Sequence, residues 1–276
     1  MTPDAKWLLD DKYEGLRNPH FEADTKRLAS GEPLGYVIGW QPFLDLKIYL
    51  DSRPLIPRPE TEWWTEQLLN EVTGAPECLF EDVSDRDDGR HSKFSAENYA
   101  CPKTGTPARP MSFLDLCAGS GAIGCAALAR LPNAQVYFGE VDPAHEATIL
   151  KNICENNLDA SRASVRIGDL FEPFEGMTFD IVASNPPYVP HNRVLPRSVA
   201  DYEPSLALLA GEEGLDYVRR IARGLSKHLA KGGVAWVECD RGHAEAAQEL
   251  FTEQGFAASI RTDQYGKPRI IVVSFP

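Results

Sequence analysis

The sequence predicts an α/β fold, a mostly parallel sheet with helices on both faces, carrying a small helical and hairpin extension at its N-terminal side. Three observations carry this. From Met111 onward, apolar runs of strand length alternate with amphipathic runs of helix length, the signature of βαβ units. A glycine turn, "CAGSG", joins the first of these strands to its helix. The last two strand-like runs have no helix between them, which predicts an antiparallel hairpin at one end of the sheet.

The elements follow in order. Residues 1–33 read as helical and amphipathic, as in "KWLLDDKYEGL". From "GYVIG" (Gly35 to Gly39) to "LKIYL" (Leu46 to Leu50) the pattern predicts a β-hairpin. "PRPETEWWTEQLLNEV" opens a helix, with prolines ahead of it and acids in its first turn. Trp63, Trp64, Leu68 and Leu69 give that helix an apolar side. Residues 74–110 lack hydrophobic period and are rich in Asp, Ser, Gly and Pro, so they read as a long surface insertion or linker with solvated charges. The chain is thereby divided into 1–56, 57–73, 74–110 and 111–276.

In the last unit "SFLDLC" is a strand and "GAIGCAALARL" a helix; "AQVYFGE" is a strand and "PAHEATILKNICENN" a helix. "ASVRIGD" and "FDIVASN" are strands, "LDYVRRIARGLSKHLA" a helix, "GGVAWVEC" a strand and "AEAAQELFTEQG" a helix. "FAASIRT" and "PRIIVVSF" form the closing hairpin. Right-handed crossovers place the strand C-termini along one edge, where α/β folds bind ligands.

Composition narrows the function. The 276 residues carry 28 Lys and Arg against 41 Asp and Glu, a formal charge of −13. Such a surface repels phosphate backbones and disfavours general nucleic-acid binding. No apolar run reaches the ~18 residues of a membrane span. The first residues, "MTPDAKWLLDDKYEG", show neither a signal-peptide core nor an Arg-rich presequence. Cys78, Cys101, Cys117, Cys125, Cys154 and Cys239 form no C-x-x-C pair, so reduced thiols in an intracellular protein are expected. The histidines are scattered, and no metal site is expected.

The chemistry concentrates in three stretches. In "LDLCAGSGAIG" a strand feeds the loop Cys117, Ala118, Gly119, Ser120 and Gly121, and a helix begins. Glycines let a ligand approach the main chain, and the helix start offers free N–H groups to a carboxylate or phosphate. The glycine spacing is not that of a dinucleotide fingerprint. The next strand ends in Glu140, whose carboxylate can accept both hydroxyl hydrogens of a ribose. Asp142 competes for this role but lies beyond the strand, and Glu140 is favoured. The third strand ends "GDLF", bringing Asp169 to the same edge. It can accept from an adenine amino group, or serve only as a helix N-cap or turn residue. Leu170 or Phe171 can cover the ring. A ribose acceptor, an adenine acceptor and N–H groups for an amino-acid carboxylate describe a pocket for S-adenosylmethionine.

The third stretch is "SNPPYVP", Ser184 to Pro190, directly after the buried strand "FDIVA". Adjacent prolines cannot continue a strand, so a rigid turn is forced there. Asn185 faces the pocket, and its side-chain oxygen and the Pro186 carbonyl can each accept an N–H. Pro186 and Pro187 stiffen the turn, and Tyr188 can stack on a flat group. Together they cage a planar –NH₂ and position it for attack on a sulfonium methyl. Positioning of this kind reaches effective molarities of ~10⁵–10⁸ M.

"NPPY" after a strand with "DLCAGSG" upstream resembles the amino-methyltransferases of the seven-stranded, Rossmann-like class, which includes DNA adenine-N6 and protein glutamine-N5 enzymes. "GEPLGYVIGWQPF", "LIPRPETE", "DYEPSLALLAGEEGLDYVRRI" and "YGKPRIIVV" resemble the HemK/PrmC family in particular. That resemblance implies methylation of the glutamine of the Gly-Gly-Gln loop in a class-1 peptide-chain release factor. It also implies that Cys117 to Gly121 form the cofactor loop, that Glu140 holds the ribose, that Asp169 and Leu170 hold the adenine, and that Asn185 to Tyr188 hold the glutamine amide. Arg58 and Glu62 would orient the loop over the methionine end and face the substrate, or simply pair with each other.

The chain departs from the family in a reduced N-terminal helical domain, the part that helps dock the release factor, and in Glu140 where Asp is usual. Cys117-Ala118 stands where Gly-Thr is commoner. The segment 74–110 matches nothing in the family and points to a eukaryotic, mitochondrial-matrix member rather than a cytoplasmic one. A monomer is expected. A nucleic-acid adenine-N6 methyltransferase is the alternative, needing a basic groove and a base-flipping pocket. A non-catalytic module that keeps the fold as a scaffold is the third reading, and an intact "NPPY" argues against it.

Overall fold

The computed structural model describes residues 1–74 and 109–276, so the predicted 74–110 insertion lies, apart from its ends, outside the described residues. Two helices open the chain, α1 (Pro3–Tyr13) and α2 (Pro19–Ala29). Each begins with a side-chain cap followed by proline: Thr2 accepts from the Ala5 N–H, and Asn18 from the Phe21 N–H. Gly35 to Gly39 was expected in a hairpin strand, but Leu34–Ile38 is a short helix, α3. Pro33 starts it, and Gly39 ends it in the left-handed region at φ 99°. The hairpin follows as β1 (Trp40–Phe43) and β2 (Leu46–Tyr49), paired antiparallel. Its two turn residues, Leu44 and Asp45, both have positive φ, as a tight primed turn requires.

Helix α4 (Pro59–Thr73) carries the PRPETE motif across its start. Thr61, Trp64, Thr65, Leu68 and Leu69 recur at helical spacing and are buried. Trp64 stacks on Trp236 with ring centroids 6.4 Å apart.

The remaining strands are β3 (Met111–Leu116), β4 (Ala134–Glu140), β5 (Ala163–Ile167), β6 (Phe179–Ser184), β7 (Leu229–Glu238), β8 (Ala257–Thr262) and β9 (Pro268–Ser274). They form one seven-stranded sheet in the order β5-β4-β3-β6-β7-β9-β8. The first five strands in that order are parallel, and β9 is antiparallel to both β7 and β8. The expected closing hairpin is therefore present, with β9 inserted between β7 and the edge strand β8. The intervening helices are α5 (Ala122–Arg130), α6 (Glu146–Glu155), the one-turn α7 (Arg197–Ala200), α8 (Asp216–His228) and α9 (Ala244–Glu253).

Strand alternation splits the interior into two apolar layers. Phe113, Ile181, Ala183 and Trp236 face the cluster that includes α4, α5 and the hairpin. Leu114, Leu116, Val182 and Val237 face the cluster under α8 and α9. Register pairs Leu116 with Gly139 and Ser184, and Glu140 with Ile167. The carboxyl ends of β3, β4, β5 and β6 therefore lie side by side, and the loops at 117–121, 141–142, 168–170 and 185–188 share one edge.

Candidate active site

The glycine loop leaves β3 through three left-handed residues, Cys117 (φ 63°), Gly119 (φ 54°) and Gly121 (φ 77°). A Cβ on Gly119 would meet only Pro54, 3.9 Å away, so the loop backbone there is open to a ligand. Gly121 and Gly124 serve packing instead: a Cβ on Gly124 would lie 2.2 Å from Phe138. The Asn152 amide donates to the Ser120 carbonyl at 2.9 Å, and the Ala118 N–H donates to the Gly139 carbonyl at 3.0 Å. The loop is thus tied to α6 and β4. Desolvation pushes the Cys117 thiol above its ordinary value, with the Glu140 carboxylate adding to the effect, which disfavours its thiolate form.

Glu140 is buried at the end of β4. Its carboxylate accepts from the Gly119 N–H at 2.7 Å and from the Val141 and Asp142 N–H groups at 2.9 Å each. A carboxylate has about four lone-pair sites, so acceptor capacity remains toward the cleft. Asp142 also lines the cleft, but one of its oxygens is engaged in capping the following turn, accepting from the Ala144 N–H at 2.8 Å. Asp169 lines the cleft, and one of its oxygens receives Arg220 at 2.6 Å. Leu170 lines the cleft in a left-handed conformation, whereas Phe171 stacks on His228 at 4.6 Å in the core. Of the two residues that were candidates to cover a ring, Leu170 is at the cleft.

Asn185 follows β6 and stands between two cavities. The first is the cleft walled by Gly119, Glu140, Asp169, Leu170 and Pro187, about 680 Å³ counted to its open mouth. The second is walled by Arg58, Pro186, Tyr188, Leu195 and Leu208. Asn185, Leu55 and Ala207 line both. Consecutive residues of the NPPY turn therefore face different chambers, Pro186 and Tyr188 one and Pro187 the other. The turn is clamped from behind: the Val189 N–H donates to the Leu208 carbonyl at 2.8 Å, and the Ala210 N–H to the Val189 carbonyl at 2.9 Å. A Cβ on Gly214 would lie 2.5 Å from the Tyr188 carbonyl, so that loop must be glycine to come so close.

Beneath the turn sits Glu238, fully buried at the end of β7. One of its oxygens accepts from Thr61 Oγ1 and Trp64 Nε1 at 2.7 Å each, and the other from the Tyr188 hydroxyl at 2.9 Å. Asn185 Nδ2 donates to Thr61 Oγ1 at 3.1 Å. Burial raises Glu238 above the usual carboxylate range, and the three donors and Arg269 oppose that rise. Tyr188 is pushed well above the ordinary phenol value by burial and by the Glu238 charge.

Arg58 and Glu62 neither pair with each other nor reach a common site. Arg58 lines the second cavity and binds Glu203 at 2.6 Å, while Glu203 also accepts from the Ile56 N–H at 3.2 Å. Glu62 accepts from the Leu44 N–H at 2.8 Å and holds the hairpin turn. The family motif thus braces the strap at residues 50–58, and Leu55 of that strap divides the two cavities. The strap is also held by Tyr36, whose hydroxyl donates to the Pro54 carbonyl at 2.7 Å, and by Ser52 at 2.8 Å from His145 Nδ1.

Sequence reasoning missed Thr61, Glu238, Glu203, His145 and Tyr217. Glu238 had a signal, an acid ending a continuous apolar strand, "VAWVE". Tyr217 and His145, which line the cleft, had none.

S-adenosylmethionine fits the first cleft on the chemistry of its walls. No Lys or Arg lines it, while Glu140, Asp142 and Asp169 do. That charge suits a cationic sulfonium and opposes a pyrophosphate. Among the described residues no His, Cys, Asp and Glu cluster could hold a metal.

A family model described as a methyltransferase small domain matches residues 105–201. The crystal structure of the hMettl16 catalytic domain with the MAT2A 3′UTR hairpin 6 has a TM-score of 0.52 at 17% identity, covering 84% of this chain and 76% of that one, and speaks for the fold. Fold and site define an S-adenosylmethionine-dependent methyltransferase of the seven-stranded, Rossmann-like class. The release factor glutamine methyltransferase of Lactococcus lactis subsp. lactis is 31% identical over 255 residues, 90% of this chain and 80% of that protein. Those of Thermodesulfovibrio yellowstonii and Xylella fastidiosa are each 30% identical, covering 90% and 99% of this chain and 78% and 88% of theirs. The chain belongs to the family of release factor glutamine methyltransferases.

Proposed function

We propose that this enzyme transfers the methyl group of S-adenosylmethionine to the side-chain amide nitrogen, N5, of the glutamine in the Gly-Gly-Gln motif of a class-1 peptide-chain release factor. The observation that carries the reading is the pair of cavities meeting at Asn185, one with acidic walls and one walled by Pro186 and Tyr188. When bound, the cofactor supplies an electrophilic methyl group on a good leaving group, so the protein's task is alignment. Glu140 accepts from a ribose hydroxyl at the lone-pair site that its three backbone N–H donors leave open. Asp169 accepts from the adenine amino group, and Leu170 covers the ring. Cys117 to Gly121 present the loop backbone to the rest of the cofactor.

In the second cavity Asn185 Oδ1 and the Pro186 carbonyl accept the two amide hydrogens of the substrate, and Tyr188 stacks on its plane. An amide nitrogen is a poor nucleophile because its lone pair is delocalised. Two acceptors hold it and favour pyramidal geometry as it attacks. Pro186 and Pro187 fix the acceptors so that no further entropy is lost on binding. Arg58, held by Glu203, lines the substrate cavity.

We take the active form to be a monomer, which sedimentation of the purified enzyme tests. No helix among the described residues is long and apolar enough to cross a membrane. The insertion-like segment 74–110 supports the mitochondrial matrix over the cytoplasm as the compartment, which imaging of the tagged protein tests. For activity, the enzyme is incubated with labelled cofactor and candidate release factors, and the Gly-Gly-Gln peptide is read by mass spectrometry. Label on N5 of that glutamine, abolished when it is replaced by glutamate, is expected. Robust labelling of duplex DNA with none on any release factor would replace this reading with adenine-N6 methylation.

A further inference from the structure

Asn185 presents an amide whose two ends are nearly the same size. With Oδ1 toward the substrate cavity it accepts a substrate N–H; flipped, it would offer a donor to a donor. Nothing in the bulk of the side chain chooses between these states. The choice has to come from what the other end of the amide meets.

That partner is Thr61 Oγ1, 3.1 Å from Asn185 Nδ2. A hydroxyl can give one hydrogen and accept others, so Thr61 alone is indifferent. Thr61 is in turn 2.7 Å from a Glu238 oxygen that also receives the indole N–H of Trp64 at 2.7 Å. An indole N–H only donates, so that oxygen is an acceptor. The single hydroxyl hydrogen of Thr61 is drawn to it. Thr61 is left with lone pairs toward Asn185, and only the NH₂ end of the amide can meet them.

We propose that Thr61 on α4 and Glu238 on β7 are positioning residues for the methyl transfer. Their hydrogen-bond chain runs one way, from Asn185 Nδ2 to Thr61 to Glu238, and so sets the Asn185 amide with its oxygen toward the substrate. Glu238 fixes the other wall of the same cavity too, since its second oxygen takes the Tyr188 hydroxyl at 2.9 Å. The threonine of "PRPETE" thereby acts at the acceptor site from a helix 124 positions away in the chain. The substrate part of this inference rests on the function proposed above; the direction of the chain does not.

The test uses the full-length enzyme and two kinds of readout. Thr61→Val keeps shape and removes the hydroxyl, and kcat on the release-factor glutamine should fall on the order of tenfold, the cost of one buried unpaired group. Cofactor affinity by calorimetry should change less than about threefold on that scale. Thr61→Ser should recover most of the lost turnover. Glu238→Gln can still offer an oxygen to Trp64 and Thr61, so it should retain more turnover than Glu238→Ala. In the Thr61→Val background Glu238→Ala should lose less than it does alone, because the shared chain is already broken.

Independently of turnover, nuclear Overhauser contacts should link the Asn185 side-chain NH₂ protons to the Thr61 methyl. Glu238→Ala should weaken them. Absence of that contact in the wild type, or kcat unchanged in Thr61→Val, overturns the inference. An equal fall in kcat and cofactor affinity also overturns it, since that marks a general loss of structure. A wild-type enzyme that labels no release factor removes the proposed substrate, while the amide contact still decides the direction of the chain.

Discussion

Glu140 is held by three backbone N–H groups, whereas Asp142 is spent on capping the next turn. Cofactor affinity should therefore fall in Glu140→Ala and change little in Asp142→Ala. Calorimetric titration of both variants checks this, and loss confined to Asp142→Ala would contradict it. Asn185 should act on turnover more than on cofactor affinity. Its benefit grows as positive charge develops on the attacking nitrogen. By analogy with removing one preorganised polar contact, Asn185→Ala should cost ~3 kcal/mol in the barrier, about 10²-fold in kcat. Single-turnover kinetics alongside cofactor titration separates the two effects.

Asp115 makes a third case at this scale. It is fully buried behind the glycine loop, accepts from the Gly124 N–H at 2.8 Å, and its other oxygen has no partner. Burial, with Glu140 nearby, pushes it from an ordinary 3.8 to about 8. The folded chain then holds this proton where the unfolded chain has lost it. Stability from this group is full below the unfolded value of 3.8 and declines as pH rises toward about 8. Asp115→Asn removes that slope, so its melting temperature relative to wild type should improve as pH rises through this window. Parallel curves of melting temperature against pH for the two proteins would refute it.

At the scale of elements, helix α5 lies so close to β4 that Gly124 has no room for a side chain. Gly124→Ala would put its Cβ 2.2 Å from the Phe138 ring, which is itself locked in the core. Overpacking of this kind should destabilise the fold by ~1–3 kcal/mol. Urea unfolding measures it, and an unchanged midpoint would mean that the ring has room to move. The same helix and the strap at 50–58 show how elements build the cavities. The strap has no regular structure, yet Tyr36, Ser52 and Glu203 fix it at several points, so Leu55 can partition the site.

In the whole molecule, ion pairs join the N-terminal helices to this strap. Asp24 binds Lys12 and Arg27, and Glu32 binds Arg27 and Arg53. Side-chain hydrogen bonds from Arg27 and Arg53 hold Glu32 below the usual carboxylate range. The small N-terminal cluster around Leu8, Phe21 and Val37 is thereby connected to the catalytic edge. The segment between α4 and β3 carries no hydrophobic period. Replacing residues 76–108 with a short glycine-serine linker should leave melting temperature and cofactor affinity nearly unchanged. A collapse of the melting temperature would show that the segment packs on the core.

Local pattern alone determined most of the sheet and helices, because alternation and helical period are properties of neighbouring residues. The glycine loop, Glu140 at its strand end and the rigid NPPY turn were legible for the same reason. The stretch Leu34–Ile38 was misread as strand, since five residues bounded by Pro33 and Gly39 are too short for period to decide. Only tertiary structure decided what Arg58, Glu62, Thr61 and Glu238 do. Two of these pairs join residues remote in the chain: Thr61 and Glu238 are 177 positions apart, and Arg58 and Glu203 are 145 apart. Hydrogen bonds between such distant residues leave no periodic trace in a single chain. Which oxygen meets which hydrogen is set when β7, α4 and the turn after β6 are packed against one another.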